Sequence, residues 1–349
     1  MSGETGAAQP AGLRILRFAP AKLNLTLAVV GRREDGFHAL HSVMMPLILG
    51  DAVAVTLASG AAGARGDTLR VAGLGLPVTP DNLVLRAIAA ARGAVHATWP
   101  GAPSTPPALA VRLAKRIPVA AGLGGGSSDA AATIAAALEA WGAALSGDAL
   151  VTLAASLGSD VPFFLAGGAA LVTGRGEFVA PLPDLVGESP AALIVTPRLA
   201  VSTAAVFEAY AGGERPRTQA ALAVSERLAA ELRAGLSGSA LVSGAADLAA
   251  ANDLLPATLS VAPSLAAFRV ALERLLGRPV GQSGSGPTAW VLFPSLATAR
   301  QAARLVRLGI RDGNLPPIGD GDPFVAATVT AGRAGITMVV ESNRSGGVA

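Results

Sequence analysis

The chain has no cysteine, which excludes disulfides, thiolate metal sites and cysteine nucleophiles. It has only three histidines, His38, His41 and His96, which argues against a histidine-built metal centre. Aromatic residues make up 4% and charged residues 15% of the chain. Small aliphatic side chains must therefore supply the core and pack helices closely. Basic and acidic residues nearly balance: the net charge is +3, with no basic stripe of the kind nucleic-acid binding needs. An anionic small molecule stays compatible with that balance. Apolar runs such as Ala130 to Ala140 are too short and interrupted for a membrane span. The leader MSGETGAAQPAG lacks a basic n-region and an apolar h-region. It reads as disordered rather than as a signal peptide, with the cytoplasm as default location.

Apolar residues are plentiful at 51%, and 349 residues suggest two ordinary domains or one large one. Strands are expected over Leu13–Leu16, Lys22–Val30, His41–Leu49, Asp51–Leu57 and Ala108–Lys115. Asp81-Asn82 caps a helix from Leu83 to about Arg92, followed by a Pro-rich connection, Gly93–Pro107. Further helices are expected from the glycine loop to Gly142 and over Ala149–Leu157. Phe163–Ala166 and Ala169–Thr173 lead to a turn at Gly174-Arg175-Gly176. Beyond Pro181–Pro190, a candidate boundary, strands are expected at Ala191–Thr196 and Thr288–Phe293. Helices are expected at Thr203–Ala211, Thr218–Gly235, Ser264–Leu276 and Leu296–Leu308. This mixed order favours an α+β layered fold over a doubly wound parallel sheet. The expected domains are residues 12–185 and 190–340, with tails at 1–11 and 341–349.

The most informative stretch is Pro118 to Ala132, PVAAGLGGGSSDAAA. Gly122-Leu123-Gly124-Gly125-Gly126-Ser127-Ser128 opens directly into an Ala-rich helix. The first N–H groups of a helix lack intrahelical partners and sit at the positive end of its dipole. Glycine lets a ligand approach the backbone. The loop therefore reads as a phosphate cradle rather than a plain flexible turn. It is not a Walker A motif, because no Gly-Lys-Ser/Thr follows.

Three shorter segments accompany it. In Ala19-Pro20-Ala21-Lys22-Leu23-Asn24-Leu25, Lys22 and Asn24 share one face of a strand. Lys22 either neutralises a phosphate or neighbouring acid, or belongs to a solvated edge face. In Gly158-Ser159-Asp160-Val161-Pro162-Phe163-Phe164, Asp160 is either a cap or turn former, or a carboxylate held for a task. Ser283-Gly284-Ser285-Gly286-Pro287-Thr288 is a tight turn that could line a phosphate pocket, although alone it reads more simply as structure.

As an ordered set these segments resemble the GHMP small-molecule kinase superfamily. Arg33-Glu34-Asp35-Gly36-Phe37-His38-Ala39-Leu40 narrows the resemblance to its 4-diphosphocytidyl-2-C-methyl-D-erythritol kinase family. The resemblance runs from about Arg17 to about Phe293. It implies a ribosomal-S5-domain-2-like nucleotide-binding domain followed by a ferredoxin-like α/β sandwich. It implies ATP and Mg²⁺ as cofactors, and phosphorylation of a cytidine-diphosphate-linked polyol in the non-mevalonate route to isoprenoids. Pro118 to Ser128 would hold the ATP phosphates. Asp160 would be the base, and Lys22 would keep it ionised. Asn24 would contact the substrate near the reacting hydroxyl. Phe37 and Phe207 would sandwich cytosine, and His38 would read its edge. Thr203 falls in the matching Val201-Ser202-Thr203 segment. Where the family often has tyrosine, this chain has Phe37, which keeps the stacking and drops a phenolic hydrogen bond. Asp129 and Glu139 are candidates for metal contact. No nucleic-acid or membrane partner is expected, and the chain would act as a monomer or homodimer. The competing readings are a homoserine- or mevalonate-type kinase, which offers no base to stack on Phe37, and a non-catalytic nucleotide binder, which would not need both Lys22 and Asp160.

Overall fold

Runs of small and branched aliphatic side chains build strands, which pair into two sheets among the described residues. The computed structural model describes residues 14–58, 63, 66–74, 79–98, 105–213 and 218–333. The first sheet holds β1 (Arg14–Asn24), β2 (Ala28–Arg32), β3 (His38–Leu57), β4 (Thr68–Gly73), β5 (Leu109–Lys115), β6 (Ala170–Gly174) and β7 (Phe178–Pro181). Its order is β4-β5-β3-β6-β7, with β1 and β2 also paired to β3. Only the β4–β5 ladder is parallel. The second sheet runs β11 (Phe324–Val329), β8 (Ala191–Thr196), β10 (Ala289–Phe293), β9 (Gly281–Gln282), all antiparallel. The α+β expectation is borne out.

Helices α1 (Leu83–Thr98) and α2 (Gly125–Trp141) cover one face of the first sheet, where Ile88 and Ala136 meet Ile15, Val55 and Val111. Helices α3 (Gly147–Leu157) and α4 (Val161–Ala166) follow. In the second half come α5 (Thr203–Gly212), α6 (Thr218–Arg233), α7 (Gly238–Ser243), α8 (Ala245–Ala250), α9 (Leu255–Val261), α10 (Ser264–Leu276) and α11 (Leu296–Arg311). Strand β8 shows the two-residue period on two buried faces. Leu193 and Val195 join the cluster of Phe268, Ala299 and Val306, whereas Ala192 and Ile194 join that of Leu23, Met45 and Trp290. The second cluster takes side chains from both sheets, so one core ties them together.

The differences from expectation are local. The expected strands stop short of Pro20 and on either side of Gly50, yet β1 and β3 run through these residues. Proline cannot donate to a ladder, and the register shifts between Pro20 and Lys22 to accommodate it. A side chain at Gly50 would meet the Phe18 ring and the Ala19 carbonyl, so this glycine permits close approach instead of ending a strand. Helix α1 continues through Gly93 to Thr98. Strands β4, β7, β9 and β11 and helices α7 and α8 were not anticipated, and the expected strand Lys22–Val30 is divided between the end of β1 and β2. Residues 1–11 and 341–349, expected as tails, lie outside the described residues, as do most of 58–66 and residues 99–104.

Candidate active site

Lys22 and Asn24 lie two residues apart at the end of β1, and their side chains meet. Lys22 Nζ donates to Asn24 Oδ1 at 2.6 Å and lies 3.3 Å from Asp160 Oδ2. Lys22 is only 4% exposed, which rules out the solvated-edge reading. Asp160 stands at the start of α4, but its side chain makes no capping hydrogen bond. The carboxylate is instead turned to the lysine and to a cavity. Asn24 is fixed in turn: its Nδ2 donates to Ser42 Oγ at 2.9 Å, and Ser42 Oγ donates to the Thr26 carbonyl at 2.6 Å. Sequence reasoning missed Ser42, because a serine on a long strand carries no motif.

The two glycine turns press backbone against backbone. A side chain at Gly122 would meet the Ser283 carbonyl, and one at Gly286 would sit 2.7 Å from Gly122 N. Ser283 Oγ accepts from Asn24 N at 3.2 Å and donates to the Gly122 carbonyl at 2.9 Å. Ser283 and Gly286 therefore brace the first loop, and only Gly284 and Ser285 of this turn line a cavity. Ser285 Oγ donates to Thr203 Oγ1 at 3.0 Å.

Two cavities meet at the first loop, sharing Gly122 and Ser127. One, of about 690 Å³, contains Lys22, Asn24, Asp160, Thr203 and Phe207. The other, of about 560 Å³, is a groove lined by Pro118, Leu123, Gly124, Gly125 and Gly126. Helix α2 starts here: Gly124 adopts the left-handed conformation at φ 69°, and the first intrahelical bond is Ser128 N to the Gly124 carbonyl at 2.9 Å. The N–H groups of Gly125, Gly126 and Ser127 precede that bond and form the positive end of the helix.

Individual loop positions differ from expectation. Ser128 is 1% exposed and lines neither cavity, because the helical turn carries its side chain inward. Gly125 also faces inward, since a side chain there would lie 3.0 Å from Ile117 Cγ2 and 3.1 Å from Lys115 Nζ. Gly126 is the glycine with open space where a side chain would be. We therefore expect Gly126→Val to raise the KM for ATP at least about tenfold while leaving the fold intact, as a branched side chain blocks approach to the N–H groups. Unchanged ATP affinity in the folded variant would remove the loop from phosphate binding.

Beneath the loop lies a buried charge cluster that sequence reasoning missed. Lys115 Nζ donates to Asp51 Oδ2 at 2.5 Å and to Asp129 Oδ2 at 2.8 Å. Asp51 Oδ1 also accepts from Arg116 N and Ile117 N, at 2.5 and 2.9 Å. Burial pushes the Asp129 carboxyl up to about 8, against the pull of Lys115. Asp129 is thus a partner of Lys115 rather than a ready metal ligand. Glu139 is paired with Arg17 and lines neither cavity, so it too fails as a metal contact. Among the described residues no group of three acids or histidines could hold a metal ion.

The far end of the larger cavity is aromatic. Phe37 is 54% exposed, which rules out a core role. His38 stacks on Phe207 with ring centroids 5.2 Å apart and planes 23° apart. All three line the cavity, although one face of Phe207 is taken by His38 instead of facing Phe37 directly. Arg175, Arg32, Ser159 and Glu208 complete the charged and polar lining and were not singled out beforehand.

The comparisons with known proteins fit this arrangement. Residues 82–168 match the model of the GHMP kinases N terminal domain. A protein of Pelotomaculum thermopropionicum named 4-diphosphocytidyl-2-C-methyl-D-erythritol kinase is 40% identical over 300 residues, covering 84% of this chain and 94% of its own. The chain belongs to that kinase family. A Sinorhizobium medicae protein of the same name is 36% identical, covering 93% of this chain and 98% of its own. A crystal structure of 4-(cytidine 5'-diphospho)-2C-methyl-D-erythritol kinase superposes with a TM-score of 0.65 at 31% identity, covering 91% of this chain and all (100%) of that one. A homoserine kinase of Cytophaga hutchinsonii superposes at 0.63 but is 18% identical, over 94% of this chain and 98% of its own, and shows the fold alone. No helix among the described residues is long and apolar enough to cross a membrane.

Proposed function

We propose that this kinase transfers the γ-phosphoryl group of ATP to the 2-hydroxyl of 4-diphosphocytidyl-2-C-methyl-D-erythritol, a step in the non-mevalonate route to isoprenoid precursors. The observation that carries the reading is the meeting of a glycine-lined groove and an aromatic-ended cavity at Gly122 and Ser127, beside the Lys22–Asp160 pair.

Phosphoryl transfer is mainly positioning and charge stabilisation. The residues present suit a triphosphate. Gly126 leaves the groove open, and the N–H groups of Gly125, Gly126 and Ser127 supply fixed donors and positive potential. With no acid cluster able to hold a metal among the described residues, Mg²⁺ would be held largely by phosphate oxygens and water, and it would supply charge neutralisation. Asp160 accepts the hydroxyl proton of the acceptor as attack proceeds. Lys22 holds that carboxylate in place, and Asn24, fixed by Ser42, presents its amide to the acceptor.

At the aromatic end, Phe37 stacks on the base and His38, backed by Phe207, reads its edge. Stacking on an aromatic is worth roughly 1–3 kcal/mol per base. Phe37→Ala and His38→Ala should each weaken binding of the cytidine substrate roughly ten- to a hundredfold with little effect on ATP. Calorimetry with each ligand separately tests this. Equal losses for both ligands would indicate general damage, and no loss for the cytidine compound would sink the proposed base pocket.

A further inference from the structure

Arg175 lies on the turn between β6 and β7, where sequence reading found only a glycine-flanked bend. The structure assigns it a specificity role: we infer that its guanidinium receives the diphosphate joining cytidine to the polyol. The inference rests on the proposed function and deepens it. An acceptor with a base at Phe37 and a reacting hydroxyl at Asp160 must carry its diphosphate between those points. Arg175 lines the cavity that contains both ends. Its guanidinium carbon lies 5.6 Å from the centre of the Phe37 ring, and its Nη2 donates to the Ala155 carbonyl at 3.2 Å.

The turn is held against both ends of the cavity. Gly176, at φ 125°, rests on Ser159, the residue before Asp160, and a side chain at Gly176 would lie 2.9 Å from the Ser159 carbonyl oxygen. On the other side, Glu177 Oε2 accepts from Arg175 N at 2.6 Å, while Glu177 Oε1 pairs with Arg33 at 3.4 Å, on the turn that carries Phe37. The turn that carries Arg175 is thereby held against the base end and the reacting end, and the Ala155 carbonyl and the Phe37 ring orient the guanidinium.

Charge points the same way. Of the cations lining the cavity, Lys22 is committed to Asp160 and Asn24. Arg32 is exposed, and no described hydrogen bond or ion pair holds its side chain. Glu208 adds a negative charge to the lining, which makes a fixed cation more necessary for a diphosphate. A planar guanidinium fits phosphate oxygens two at a time and can rest on an aromatic face while doing so.

The test is calorimetric titration of wild type, Arg175→Met and Arg175→Lys with cytidine, cytidine monophosphate and cytidine diphosphate. Wild type should bind more tightly with each phosphate. Arg175→Met should lose roughly ten- to a hundredfold for the diphosphate and stay within about twofold for cytidine. Arg175→Lys should recover part of the loss. In turnover, KM for the cytidine substrate should rise while KM for ATP holds. Equal losses for cytidine and its diphosphate would reduce Arg175 to a support for Phe37 and overturn the inference alone, as would no loss for either. Wild type that binds no cytidine ligand at all would overturn the proposed function and this inference with it. Arg175→Lys serves as the readout if Arg175→Met does not fold.

Discussion

Asp160→Asn is expected to lower kcat about 10²- to 10⁴-fold while both substrates still bind, the range expected for loss of a general base. The carboxylate does no structural work that asparagine would leave undone. It caps no helix, and its one described ion pair is with Lys22. Asparagine keeps its size but cannot accept the hydroxyl proton. Lys22 then loses its counter-charge, but Asn24 Oδ1 still receives it at 2.6 Å, so the loop beside it should keep its place. Separate titrations with ATP and with the cytidine substrate distinguish lost chemistry from lost binding. Near wild-type kcat would remove Asp160 from the mechanism.

Lys115→Met should carry the largest cost in stability, about 3–5 kcal/mol, the usual range for removing one partner of a buried ion pair. Lys115, Asp51 and Asp129 are 5%, 1% and 3% exposed, so water cannot replace the lost ammonium. The deficit should depend on pH in a definite direction. A carboxyl whose folded pKa is raised gives stability that is present below its unfolded value, near 4, and lost as pH rises through its folded value. Asp129, pushed up by burial to about 8, follows that rule. Without Lys115 its protonation is favoured further, so the variant should fall short of wild type by less at pH 5 than at pH 8.5. Urea denaturation at both values measures this. An equal deficit at both would contradict the linkage, and no deficit would contradict the cluster's role. Because Lys115 sits under Gly125, the variant should also bind ATP less tightly.

The parts of the site that sequence made legible are those where local chemistry is peculiar. The helix end at Gly142 was readable, a left-handed glycine at φ 63°, whereas its start was not: Gly125 to Ser128, expected in the loop, already belong to the helix behind Gly124 at φ 69°. Lys22, Asn24, Asp160, Phe37 and His38 were readable as members of an ordered motif set, and the structure gathers them around one cavity. What stayed hidden depends on distance in the fold. Lys115 and Asp51 are 64 positions apart, and nothing in either neighbourhood signals their pairing. Arg175 sits in a turn whose glycines explain themselves by bending. Gly50 and Pro20 misled because their usual meaning as breaks yields here to tertiary contact with Phe18 and to a register shift. Gly125 and Gly126 look alike in sequence, yet one faces Ile117 and the other open space.

The aromatic-ended cavity is expected to deliver a cytidine-diphosphate polyol to Asp160. The most direct measurement offers the protein labelled ATP and Mg²⁺ with 4-diphosphocytidyl-2-C-methyl-D-erythritol, homoserine and mevalonate together. Label should enter the cytidine compound, on its 2-hydroxyl, and neither of the others. Label in homoserine or mevalonate, with the cytidine compound left unmodified, would contradict the account.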